Sequence, residues 1–363
     1  MTQGLTYDVV IATRNRSDVI GQALLTIVKQ RRQPRKIIIV DSSEDSEPTR
    51  AAVAAVLGDS SIEWEFLEAV PNSAEQRNIG LARVESPVVM FPDDDVFWFE
   101  NAAEGVMRIY ERDVEHRVGG VSVAYLNAPP PGVLLHAGRV YRMKVSHRLR
   151  ARFNKIVRFA QERLFADPLW VHGQACVERF PAPEWLAEEN GILVEWGGFS
   201  FRTASIRDRG YDSDLGAFMG YAKCEDTDLC FHVWDRQLLV GARNAKVYHH
   251  RHPAARAGGF ALGFMSQINR TYVVCKHADK KSVARRSIGR FTCVVIGQYM
   301  AAIHTRFGRD RIRGAVAAWR AQRELVESSS DTLRETYMNV CRRCLNRRPQ
   351  EMVGDELAPV ATA

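Results

Sequence analysis

The chain has 363 residues, 46% hydrophobic and 26% charged, with a formal net charge of +7 at pH 7. That is enough apolar material for a sizeable core in one large domain or two, and it excludes a low-complexity or disordered chain. The seven cysteines are scattered from Cys176 to Cys344 and make no disulfide framework; Met1 to Leu5 leads into a strand-like run without a signal peptide. The best candidate membrane span, Ile288 to Ile303, is interrupted by Arg290, Thr292 and Gln298 and falls short of the roughly 20 apolar residues a span needs. A cytoplasmic protein is the expectation.

In chain order, Tyr7 to Ala12 reads as a buried strand, followed by a helix capped by Ser17 with Ile20, Ala23, Leu24, Ile27 and Val28 at helical spacing. Pro34 ends that helix, and Lys36 to Val40 is a second buried strand closing on Asp41. A helix from Pro48 to Leu57 and a strand from Ile62 to Leu67 follow. Ser73 and Gln76 then form a capping box for a helix through Val84, and Val88 to Phe91 is the next strand. Strands alternating with helices predict an α/β fold, a mostly parallel central sheet with helices on both faces. Ligands of such sheets bind at the carboxyl ends of the strands, where Thr13, Asp41 and Asp93 fall.

After a helix through Glu115 and a strand from Gly119 to Tyr125 the pattern changes. Residues 127–192 read as an insert, stiff at Pro129, Pro130 and Pro131 and basic with interleaved apolar residues from Arg139 to Arg163. It suits a segment over the active site, against a membrane, or simply covering the sheet edge. Ordered elements resume from Leu193 to Phe201, at a helix opened by Glu225 and Asp226, and at a strand from Asn244 to Tyr248 ending in His249, His250, Arg251 and His252. The expected division is 1–254 as the catalytic domain, 255–353 as a basic helical extension with helices near Leu262 to His277, Val283 to His304 and Ile312 to Val326, and 354–363 as a frayed tail.

The triplet Asp93, Asp94 and Asp95 carries the sharpest chemical signal. Three adjacent carboxylates repel one another, so their place at the end of a buried strand points to a divalent cation and to chemistry on a phosphorylated ligand. Residues two apart on an extended segment point the same way, making Asp95 and Asp93 the metal ligands and turning Asp94 the other way. Taken alone, the triplet also reads as a solvated acidic turn.

The succession VVIATRNR (Val9 to Arg16), IIIVDSS (Ile37 to Ser43), QRNIG (Gln76 to Gly80), FPDDD (Phe91 to Asp95), EDTDL (Glu225 to Leu229) and VYH (Val247 to His249) resembles glycosyltransferase family 2, over residues 7 to about 252. The resemblance implies the GT-A fold and inverting transfer of a sugar from a nucleoside diphosphate-sugar donor to an acceptor hydroxyl. By position in the motifs, it implies Thr13 and Asn15 against the nucleoside, Asp41 accepting from the base, Arg77 holding the nucleotide with Asp93 and Asp94, and Asp226 as general base beside Glu225. It implies His249 as third metal ligand, with His250 and His252 as rivals; an imidazole suits Mn²⁺ better than Mg²⁺. Glu225, Asp226 and Asp228 also read as ordinary helix N-terminal acids. Trp196, Gly197 and Gly198 are candidates for an acceptor floor, or a core tryptophan beside a tight turn. The chain departs from commoner members at Asp41-Ser42-Ser43-Glu44-Asp45, where a second acidic residue and a glycine often follow the first Asp.

The charge is uneven. Residues 256–348 hold 19 Lys and Arg against 6 Asp and Glu, a net +13, which leaves −6 for the rest. Such a tail suits an anionic membrane surface, hence the expectation of a peripheral protein on the cytoplasmic face acting on a glycan or lipid-linked acceptor in polysaccharide or cell-wall synthesis, with no nucleic acid partner. The competing readings are an inactive adaptor on a transferase scaffold, and a cation-dependent phosphatase or nucleotidyltransferase. The latter two lack their phosphate loop or nucleophile pattern here. Cys341 and Cys344 make half a zinc site at most.

Overall fold

Two β-branched runs form adjacent central strands. β1 (Tyr7–Thr13) pairs in parallel with β2 (Lys36–Asp41), Val9 opposite Ile37 and Thr13 opposite Asp41, and Val9 to Ile11 and Ile37 to Val40 have no accessible surface. Strands buried on both faces are what a sheet covered by helices requires. The structure is a computed structural model that describes residues 4–133, 166–195, 197–250 and 257–345. The chain divides into two compact units, Met1–Leu134 with Cys176–Ala255, and Leu135–Ala175 with Arg256–Ala363.

In the first unit, α1 (Ser17–Val28) follows β1, and α2 (Glu47–Leu57), β3 (Glu63–Glu68), α3 (Ser73–Leu81) and β4 (Val88–Met90) follow β2. Then come β5 (Val96–Trp98), α4 (Ala102–Arg112) and β6 (Val118–Leu126). A helix shared between the units, α5 (Pro168–Val177), precedes α6 (Trp185–Glu188), β7 (Gly191–Leu193), β8 (Ser200–Arg202), α7 (Thr203–Ile206), α8 (Glu225–Trp234) and β9 (Leu238–His249).

The sheet order is β3-β2-β1-β4-β8-β6-β9-β5, with β7 also on β9. The four strands β3, β2, β1 and β4 are parallel, as the strand and helix alternation predicts. The other half is mixed: β8 runs antiparallel to β4 and β6, β6 parallel to β9, and β5 and β7 antiparallel to β9. The α/β class stands, while the parallel character is confined to one half. The short link Phe91–Asp95 cannot make a helical crossover, so β5 leaves β4 and pairs with β9 instead. The edge strand β3 carries Glu63, Glu65 and Glu68, charges that discourage pairing with another chain.

Several boundaries differ from the sequence expectation. Ser17 is the first residue of α1 and does not cap it; Arg16 is at the N-cap and accepts with its backbone carbonyl from Val19 and Ile20. Asn72, not Ser73, caps α3, accepting from the Ala74 and Glu75 amides, because Gln76 is drawn into the sheet. Strand β5 was not foreseen, and β9 begins at Leu238 rather than Asn244. The Arg139 to Arg163 insert segment, Trp196, His252 and the tail beyond 354 lie outside the described residues.

The second unit contains α9 (Gly259–His277), α10 (Val283–Tyr299), α11 (Arg306–Glu327) and α12 (Ser330–Leu345). Gly263 and Gly314 let α9 and α11 touch backbone to backbone: a Cβ at Gly263 would meet the Arg311 carbonyl at 2.1 Å, and one at Gly314 the Phe260 carbonyl at 2.0 Å. Tyr337 on α12 donates to Asn269 Oδ1 on α9 at 2.9 Å. The predicted helix through His304 stops at Tyr299, since Thr305 starts a new helix by accepting from the Gly308 amide at 2.9 Å. No helix among the described residues is long and apolar enough to cross a membrane.

Candidate active site

The acidic triplet sits in the link between β4 and β5. It is a turn, closed by the Val96 amide on the Asp93 carbonyl at 3.1 Å, rather than the extended segment expected. Antiparallel pairing sets Val96 opposite His249, and the His250 amide donates to the Asp95 carbonyl at 2.9 Å. His249 Nε2 consequently lies 3.0 Å from Asp95 Oδ1 and 3.9 Å from Asp93 Oδ2. One ligand atom from each of the three falls within 4.8 Å of the others. Alternation along β9 turns His250 the other way, its ring 5.9 Å from that of Phe97. Two carboxylates and an imidazole, one carboxylate buried and one half-exposed, are a donor set that fits a borderline divalent cation such as Mn²⁺.

Asp94 turns away from Asp93, Asp95 and His249. Its Oδ2 accepts from Thr13 Oγ1 at 2.7 Å and its Oδ1 from Arg16 Nη1 at 2.5 Å, so it ties the end of β1 to the turn. Burial pushes its carboxyl up to about 6, against the opposing pull of Arg16. Arg16 also lies 3.6 Å from Asp95, which makes this arginine a neutralising partner of two of the three carboxylates.

Arg77, on α3, spans the crevice. Its Nη2 lies 2.9 Å from Asp93 and its Nη1 2.8 Å from Glu225, with the Tyr211 ring 5.5 Å away. Burial would lower its pKa, but Glu225 and Asp93 more than offset this and hold it cationic. Glu225 is buried and its carboxyl is raised by that burial, against the pull of Arg77. Asp226 is exposed, its Oδ1 accepting from the Thr227 amide at 2.7 Å, and lies within electrostatic reach of Arg77. Asp228 is fully buried and paired with Arg209 at 2.8 Å, an anchoring role for α8.

Beside Thr13, the ends of β1 and β2 are clamped by Gln76. Its amide nitrogen donates to the Thr13 carbonyl at 2.9 Å and the Val40 carbonyl at 2.7 Å, while its oxygen accepts from Ser42 Oγ at 3.1 Å. Asp41 Oδ1 accepts from the Ser43 hydroxyl at 2.7 Å, and its Oδ2 is buried without a hydrogen-bond partner among the described residues. Burial raises its carboxyl accordingly. Asn15 adopts φ 52°, a left-handed conformation that asparagine tolerates, and its side chain donates to Glu44, which also takes Arg14 Nη2 at 2.6 Å. The Asn15 and Arg14 contacts hold the Glu44 carboxyl down to about 2.

Gly197 has φ +137°, and a Cβ there would meet Ser122 Oγ at 2.4 Å; one at Gly198 would meet the Phe201 ring at 2.9 Å and Asp226 Cβ at 3.7 Å. Gly198 therefore adjoins the Asp226 side chain. A cleft of about 370 Å³ beside His249 is lined by Tyr125, Leu126, Asn127, Tyr248 and His249. The Tyr125 ring, 58% exposed, is 6.2 Å from that of His249. Sequence reasoning passed over Tyr125, although a tyrosine at a strand's carboxyl end was a usable signal.

The family-model match and the architecture together are those of a glycosyltransferase of the GT-A fold. Residues 8–163 match the family model described as Glycosyl transferase family 2. Staphylococcus aureus TarS, residues 1–349, solved in complex with UDP-GlcNAc, superposes with a TM-score of 0.50 at 11% identity, over 93% of this chain and 92% of that one. The mannosyltransferase PcManGT from Pyrobaculum calidifontis, solved in complex with GDP-Man and Mn²⁺, gives 0.47 at 15% identity, over 96% and 89%. No curated protein matches.

Proposed function

We propose that this chain is an inverting, divalent-cation-dependent transferase that moves a sugar from a nucleoside diphosphate-sugar to an acceptor hydroxyl, in polysaccharide, cell-wall or lipid-linked glycan synthesis. The observation that carries it is the meeting of Asp93, Asp95 and His249 within 4.8 Å, with Arg77 joining Asp93 to the Glu225 and Asp226 end of α8.

In this reading Asp95, Asp93 and His249 hold the cation, which supplies Lewis-acid stabilisation of the departing diphosphate. Arg77 stays charged beside it. Asp41, whose buried Oδ2 has no hydrogen-bond partner among the described residues, accepts from an N–H of the nucleoside base, and Thr13 and Asn15 shape the wall next to it. Asp226 is exposed where an acceptor hydroxyl enters, and takes its proton as that oxygen attacks the anomeric carbon from the side opposite the leaving group. Gly197 and Gly198 belong to the acceptor floor in this reading, Gly198 lying next to the Asp226 side chain.

The test is a thermal-shift screen of sugar nucleotides with Mn²⁺ and with Mg²⁺, followed by transfer assays with the donor that stabilises the protein. A ligand at a hundredfold excess over its Kd adds about 2.7 kcal/mol, a shift that is easily read. The Asp95→Ala variant should lose the cation-dependent part of the shift. Transfer that persists unchanged in excess chelator, with no cation-dependent shift for any donor, would overturn the proposal.

A further inference from the structure

The bend between α10 and α11 exposes an unusual surface. Met300 is 46% exposed, Ile303 44% and Phe307 41%, three large apolar side chains within eight residues at one end of a helix pair. Arg309 Nη1 donates to the Ile303 and His304 carbonyls at 3.3 and 3.2 Å, bracing the bend that presents them. The surrounding sequence has one sign of charge: Lys280 through Arg309 contains seven Lys and Arg and no Asp or Glu. Along α11, the exposed Arg306, Arg309, Arg313 and Arg320 fall within about 60° of helical arc, away from the buried Gly308, Ala315 and Ala318.

We propose that this end of the helical unit docks on an anionic lipid bilayer, Met300, Ile303 and Phe307 entering the headgroup layer and the arginine row lying over lipid phosphates. Apolar residues at a tip flanked by arginines match an interface that is greasy in depth and anionic at its surface. A nucleic acid backbone would engage the arginines and gain little from Met300 and Ile303. A merely solvated helix face accounts for the arginines and leaves the three apolar side chains in water without cause. None of these residues belongs to the crevice that holds Asp95 and Asp226, so the proposal stands or falls apart from the transfer chemistry.

The experiment is co-sedimentation of the full chain with phosphatidylcholine vesicles, and with vesicles of two parts phosphatidylcholine to one part phosphatidylglycerol, at low and high salt. Binding is expected to the anionic vesicles and not to the neutral ones. Ile303→Glu with Phe307→Glu should lower the partition by about tenfold or more, and Arg306→Glu with Arg320→Glu by a similar factor. Both double variants should keep the wild-type melting curve and the wild-type thermal shift with sugar nucleotide. Met300→Gln, a like-sized polar replacement at an exposed position, gives a smaller loss in the same direction and serves should the first double variant melt early. Absence of wild-type binding to anionic vesicles would overturn the proposal. So would binding that the apolar variants leave unchanged, or tighter binding to a duplex oligonucleotide than to vesicles.

Discussion

Asp93 and Glu225, distant in sequence, are bridged by one partly buried guanidinium, Arg77 Nη2 lying 2.9 Å from Asp93 Oδ1 and Nη1 2.8 Å from Glu225 Oε1. The acidic turn and the start of α8 are therefore held as one electrostatic unit. An ammonium cannot make both contacts in the same geometry. Arg77→Lys is expected to destabilise the chain by about 3 kcal/mol in urea unfolding, because Glu225 is left buried and under-paired. A loss below about 1 kcal/mol would show that the bridge contributes little.

Gln76 holds the carboxyl ends of β1 and β2 from inside. Replacing it with leucine removes three buried hydrogen bonds, while the Thr13 carbonyl keeps the Ser42 amide at 3.0 Å. Gln76→Leu should cost about 2 kcal/mol and raise the donor KM more than it lowers kcat, since Thr13 and Asp41 lie at those strand ends. Equal stability of variant and wild type by denaturant titration would refute the clamp.

Asp226 is exposed and its side chain accepts from Thr227 at its own helix start, so its substitution disturbs little of the packing. On the proposed mechanism, Asp226→Asn should lower kcat about a thousandfold while leaving donor affinity within about twofold. Single-turnover rates and calorimetric donor binding separate the two effects. Substantial residual turnover would move the base elsewhere.

Glu44 is held down to about 2 by Arg14 and Asn15, below its ordinary 4.5. A carboxyl depressed on folding adds stability above the ordinary value, and that increment is lost as pH falls from about 4.5 toward 2. The gap in stability between wild type and Glu44→Gln should therefore close over that window. Glu44 is mostly exposed, so the gap is small and shrinks further with salt. A gap that is constant with pH would exclude the linkage.

Much of the first unit was legible from the chain because its signals are local. Continuous β-branched runs at Val9 to Ala12 and Ile37 to Val40 admit few structures other than buried strands, and the residues that end them, Thr13 and Asp41, follow from that reading. Strand β5 was harder to foresee: three residues are too few to show a period, and its pairing with β9 depends on chain far downstream. Gln76 misled for a related reason. Its position fits a capping box, yet Asn72 was available as the cap and the Gln76 amide is directed to the buried Thr13 and Val40 carbonyls, where a lost hydrogen bond costs more than at a helix N-terminus open to water.

The sequence by itself determined the strand and helix alternation of the N-terminal half, the acidic triplet and its motif order, and the concentration of positive charge after residue 256. Those depend on side-chain period, residue type and composition. The tertiary structure alone decided that Asp94 turns inward to Thr13 and Arg16, that His249 rather than His250 meets Asp95, and that Arg77 ties Asp93 to Glu225. Each depends on which strands pair and in what register, and a shift of one residue in β9 would send His249 to the other face.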